Sequence, residues 1–255
     1  MSFVSDNSAN YSPLYKQQCQ NVKLIDAAYS SIESKIKESI RTEKRDEEIV
    51  FTRLLSNITV IWMEASILKI CYDNNSFTEE DILEIRNSKS LEQRIIGLIN
   101  MSVCKKYNIP FTRKHLDLEL RYTQRARYKG LIQLIENDFK ESVSIRNKIA
   151  HGQWKFAYSN NENALDKEIT GKINSENIVA IQLKRNLFKN LMDLIQHIVV
   201  DFEKYDLNFD IMYEKIEGYK HNKEGRSYQE YRNMLIEKYR IGLIKKNKNL
   251  SQSLV

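Results

Sequence analysis

Apolar residues recur every three or four positions over long stretches of this chain, and that period constrains the fold more than any other feature. Between Tyr15 and Arg41, the residues Val22, Ile25, Ala28, Tyr29, Ile32, Ile36 and Ile40 keep helical spacing. A second run, Glu47 to Tyr72, is apolar on nearly all sides near its middle. A helix of that kind needs neighbours all around it, so it is expected at the centre of a bundle. Only seven glycines and two prolines occur in 255 residues, too few to break many helices. The spacing predicts an all-α bundle with one main core, which a chain of this length, 42% hydrophobic, can bury.

Residues 1–14 are polar and Ser/Asn-rich, and read as a loose leader. The bundle is expected over residues 15–205. After the two long helices, Thr78 with Asp81, or Ser76 with Glu79, offers a capping box for a short helix. The period then resumes through Leu91, Ile95, Leu98 and Met101, and Pro110 closes the loop that follows. A long helix from about Arg121 to Ala150 carries Tyr128, Ile132, Ile135, Phe139 and Val143. Beyond Gly152, "QWKFAYSNNENALDKEITGKI" alternates apolar and polar residues, which predicts a small β-hairpin or an ordered loop. A last bundle helix is expected from about Ser175 to Tyr205. Residues 206–255 read as a basic helical extension, interrupted by "GYKHNKEG".

Charge is distributed unevenly. From Gly218 to Val255, nine Lys or Arg stand against three Glu, an excess that equals the +6 of the whole chain. Such a segment permits contact with an acidic partner such as nucleic acid. Cys19, Cys71 and Cys104 are odd in number and widely spaced, as expected in a reducing cytoplasm. The N-terminus lacks the order of a secretory signal, and no uncharged run approaches the roughly 20 residues of a membrane span. A cytoplasmic protein without membrane contact is therefore expected. His115, His197 and His221 have no partner at metal or triad spacing and read as structural. No phosphate-binding glycine loop, serine-centred elbow or carboxylate cluster occurs, and no cofactor is expected.

The end of the fourth long helix carries the polar residues that stand out. Steps of three and four from Val143 land on Arg146 and Asn147, and four more give Ala150 and His151. By this period the polar trio continues the apolar face. Gly152 then fits the left-handed residue that closes a helix. A histidine in a last helical turn feels the negative end of the helix dipole, which favours its protonated form and suits proton transfer. Arg146 can hold a phosphate with two parallel hydrogen bonds, and Asn147 can orient His151 or donate to a phosphate oxygen. Together they could hold a phosphodiester, deprotonate a ribose 2′-hydroxyl and protonate the departing 5′-oxygen. One histidine cannot easily be acid and base at once, so a symmetric dimer with a composite cleft is expected. On spacing alone, the same residues also fit a loop anchor and a helix cap.

The segment "RNKIAHG", Arg146 to Gly152, resembles the signature of the HEPN superfamily, in which an arginine, the polar residue after it and a histidine a few positions on form an RNase motif. The resemblance covers residues 15–205. It implies a dimeric helical bundle that cleaves RNA without metal at the dimer cleft, leaving a cyclic phosphate and a 5′-hydroxyl. Arg146, Asn147 and His151 take the family's active-site positions. Members serve as toxins restrained by antitoxins, in anti-phage defence and in tRNA or mRNA cleavage. Others only dimerise or bind, so a catalytically silent RNA-binding scaffold is the alternative. The partners implied are RNA, a second copy of the chain, and an antitoxin or regulatory protein.

Further residues bear on such a site. Glu64 interrupts the apolar run of the second helix, either to meet Arg146 across the bundle or to sit exposed on a polar stripe with Ser56 and Lys69. Trp154 and Tyr158 could stack on a splayed RNA base, with Lys148 and Lys155 beside them as phosphate contacts. For Trp154, packing against the bundle is the stronger expectation. Tyr219, Tyr228, Tyr231 and Tyr239 interleave with basic residues in the extension, as an RNA-binding surface might, yet also keep a helical packing period.

Overall fold

The computed structural model describes residues 11–73, 76–111, 116–161, 163–225 and 227–252. Most of the expected leader and His115 lie outside the described residues. The all-α expectation holds: among the described residues the secondary structure is helical, with a single isolated antiparallel bridge between Tyr158 and Leu165.

Two antiparallel helices, α1 (Pro13–Arg41) and α2 (Arg45–Cys71), open the bundle. Pro13 and Leu14 belong to α1, because Ser12 caps its first turn by accepting from the backbone N–H of Tyr15, and Pro13 sits where a missing N–H costs nothing. α2 is the central helix, packed by α1, α4 (Leu91–Tyr107), α7 (Lys140–Ala150) and α9 (Ile178–Val200). Among the described residues it is the one helix long and apolar enough to cross a membrane, and here Val60, Met63, Ile67 and Ile70 are buried against those neighbours. The short helix α3 (Glu79–Arg86) precedes α4. Of the two possible caps, Thr78 is used, in a full capping box with Asp81. A single turn, α5 (Leu116–Glu119), leads to α6 (Tyr122–Leu134).

The fourth long helix is one continuous rod with an irregularity. α6 passes into a π-helical segment, Ile135–Phe139, and then into α7. A π turn holds an extra residue and so re-phases the faces on either side of it. After it the buried stripe runs through Phe139, Ser142, Val143, Ile145 and Ile149. The expectation that Asn147 and His151 continue the apolar face is corrected. At about 100° per residue they lie roughly 200° and 240° round from buried Ile145, and both are exposed. Arg146 stands at the edge of the buried face, half-buried.

Of the two expectations for the segment after Gly152, a β-hairpin or an ordered loop, the loop is what forms, with one bridge. Asp166 accepts from the N–H of Ile169 and starts a helix, α8 (Lys167–Ser175), where alternation had suggested a strand. Ile169 and Ile173, four apart, then dock on Ile145 and Ile149 of the motif helix.

The extension is not separate from the bundle. α10 (Phe202–Gly225) runs unbroken through "GYKHNKEG", and its Tyr205, Phe209 and Ile216 join the main core beside α9. Leu235 and Ile236 of α11 (Tyr228–Gln252) are buried against α1 and α9. Glu48 of α2 ties α11 down through the Tyr228 hydroxyl and the Arg232 guanidinium. Residues 237–247 run on exposed.

Buried polar groups brace the helices. Arg185 of α9 pairs with Asp26 of α1 and lies 3.7 Å over the ring centroid of Trp62 on α2, a cation–π contact sheltered from water. Phe139, fully buried in the π segment, meets Phe188 of α9 edge to face at 5.4 Å. Phe139→Ala removes that contact at the point that sets the phase of α7, and a loss of about 3–5 kcal/mol in chemical-denaturation stability is expected.

Candidate functional site

The motif is positioned by the end of α7. Gly152 adopts φ 79°, its N–H donates to the Ile149 carbonyl at 3.0 Å, and the N–H of Gln153 donates to the Lys148 carbonyl at 2.9 Å. These two bonds form the Schellman closure that stops the helix directly after His151. The chain then turns back, and Trp154 donates its ring N–H to the Ile149 carbonyl at 3.0 Å.

Arg53, buried on α2, clamps this turn from the other side. Its Nε donates to the Trp154 carbonyl at 3.0 Å and its Nη2 to Oδ1 of Asn174 at 3.1 Å. The Asn174 amide in turn donates to the Lys155 carbonyl. No local sequence signal marks Arg53, because its partners lie on the far side of the motif.

Arg146 and Glu64 do meet across the bundle. Nη2 of Arg146 donates to one carboxylate oxygen at 3.0 Å, and Arg94 of α4 donates to the other at 3.2 Å. Nη1 of Arg146 also donates to Oδ1 of Asn147 at 3.1 Å. With its oxygen held by a cation, the asparagine is left to present its amide N–H groups elsewhere. The side chains of Glu64 and Arg94 are about a third exposed and that of Arg146 about a quarter, so the cluster is reachable from solvent.

Asn147 and His151 line one open surface groove of about 590 Å³, together with Ser144, Gln153, Asn160 and Asp166. Arg146 does not line it and reaches its rim through Asn147. Asp166 was not among the candidates; its helix-capping role is readable in the sequence, but its place opposite the motif comes from the fold. The groove lies between the end of α7 on one side and the loop and first turn of α8 on the other, and is open to solvent.

The four candidate RNA-contacting residues separate. Trp154 is half-buried against Ile145 and Ile149, so packing takes its ring and the Ile149 carbonyl takes its N–H. Nζ of Lys148 donates to the Tyr158 carbonyl, which fixes the loop. The side chains of Tyr158 and Lys155 are exposed. His197 is partly buried on α9 and His221 exposed on α10, both away from the groove lining. Among the described residues, no group of three or more His, Cys, Asp or Glu side chains is gathered as metal ligands would be.

Gly152 has nothing within 4 Å of where a Cβ would stand, so its requirement is purely the left-handed backbone. Gly152→Ala is expected to cost about 1 kcal/mol of stability in thermal or denaturant unfolding, without steric disruption of the groove. No family model matches the chain, and no curated protein or solved structure shows significant similarity to it.

Proposed function

We propose that this chain is a metal-independent, HEPN-type endoribonuclease, working in the cytoplasm as a symmetric dimer in bacterial anti-phage defence or as a toxin restrained by a partner protein. The observation that carries this reading is the "RNKIAHG" segment at a helix end, with Asn147 and His151 facing one open groove and Arg146 braced beside them by Glu64.

The chemistry follows from these groups. His151 of one copy takes the proton from a ribose 2′-hydroxyl, and the oxygen attacks the adjacent phosphorus. The P–O5′ bond breaks as the cyclic phosphate closes, and protonated His151 of the partner subunit gives its proton to the departing 5′-oxygen. Arg146 and the Asn147 amide hold the phosphate and stabilise the charge that builds on its oxygens. A groove open to solvent, with one histidine in it, suits a site that a second copy completes. The exposed Tyr158 and Lys155 are available to a strand of RNA that leaves the groove.

One observation favours a second reading, a silent RNA-binding scaffold: Glu64 and Asn147 already occupy two nitrogens of the Arg146 guanidinium. The two readings part in a cleavage assay on tRNA and mRNA in excess EDTA. The expected result is cutting that leaves 2′,3′-cyclic phosphate and 5′-hydroxyl ends, with His151→Ala slower by about 10²-fold or more. Equal inertness of both proteins while they still dimerise and bind RNA would support the scaffold.

A further inference from the structure

We propose that Arg94 is a second phosphate-binding side chain, forming with Arg146 a two-arginine clamp organised by Glu64; this rests on the reading of the groove as an RNA site. Arg94 lies outside the motif, on α4, and is brought to it by the fold alone.

Charge is the reason. Glu64 fixes Arg146 in place, but a single carboxylate on a single guanidinium cancels the charge that a phosphate needs. A holder of phosphate would then be close to neutral. Arg94 on the other oxygen of Glu64 restores the balance: two cations on one anion leave one net positive charge beside Asn147.

Geometry agrees with this. Each guanidinium meets Glu64 through one nitrogen, at 3.2 Å for Arg94 and 3.0 Å for Arg146; the Nε of each is enclosed, and the donors that remain are Nη2 of Arg94 and the second N–H of each Nη of Arg146. Two arginines on the two oxygens of one carboxylate are held side by side, at a spacing set by that carboxylate. About a third of the Arg94 side chain and a quarter of that of Arg146 face solvent, whereas a brace serving only the bundle could be fully enclosed. Glu64 is then a positioning residue, and the clamp takes the phosphodiester of the RNA strand.

The test uses an RNA oligonucleotide made uncleavable by 2′-O-methylation, so that binding is read apart from cutting. Binding is measured over a range of salt for the full chain and for Arg94→Gln, Arg94→Lys and Arg146→Gln, with helicity and melting temperature checked for each. Each lost phosphate contact lowers the slope of log Kobs against log salt by about 0.7 for a single strand. Arg94→Gln is expected to lower the slope by that amount, as Arg146→Gln does, and to weaken low-salt binding on the order of tenfold. Arg94→Lys, which keeps the charge, is expected to keep the slope.

An unchanged slope in Arg94→Gln, or an equal loss in Arg94→Lys, would overturn the clamp. Cleavage of the matching unmodified RNA is scored separately. Cutting with an unchanged Arg94→Gln slope removes the clamp and leaves the nuclease, whereas the expected slope change without cutting keeps the clamp and removes the nuclease. Failure of the unmutated protein to bind the oligonucleotide would overturn both.

Discussion

The burial of α2 is the constraint on which the rest of the molecule depends. A helix apolar nearly all round can be satisfied only by neighbours on every side, and α1, α4, α7 and α9 supply them. The few polar groups on α2 are then forced into specific company. Glu48 finds Tyr228 and Arg232, Arg53 finds Trp154 and Asn174, and Glu64 finds Arg94 and Arg146. Because an unpaired charge beside a dry interface is expensive, these pairings fix how α7, α4 and α11 sit around the centre. The candidate site is thus held by the same helix that holds the core.

The motif gains its geometry from two departures from a regular helix. The π turn at Ile135–Phe139 re-phases α7 so that Ile145 and Ile149 face inward while Asn147 and His151 face out. The Schellman closure at Gly152 stops the helix one residue after the histidine and returns the chain beneath Trp154. Arg53 then locks that return from α2. His151 thus stands at a capped helix end with the open groove before it.

Where local chemistry decides the structure, the sequence is a good guide. The periods of α1, α2 and α4, the Thr78 cap and the left-handed Gly152 are all readable from neighbouring residues, and so was the need of Glu64 for a partner. Where distant partners decide, it is not. Val143 stands at one edge of the buried stripe through Ser142, Ile145 and Ile149, so steps of four from it drift onto the exposed face, where Asn147 and His151 lie. In the segment after Gly152, alternation suggests a strand, but the Asp166 cap and the docking of Ile169 and Ile173 favour a helix. "GYKHNKEG" looks like a break, yet α10 crosses it because its preceding residues are anchored on α9. Arg94 and Arg53 carry no signal of their own, since their roles come from residues 30 and 101 positions away.

The central claim is that two copies of the motif act together, one histidine as base and the other as acid. Subunit dilution tests it most directly: unmutated protein is mixed and allowed to exchange with His151→Ala at constant total concentration, and the initial rate of RNA cleavage is measured against the fraction of unmutated chain. If both histidines are needed, only dimers of two unmutated chains cut, and the rate falls as the square of that fraction. A rate that falls linearly would show that each chain cuts alone, and would contradict the account.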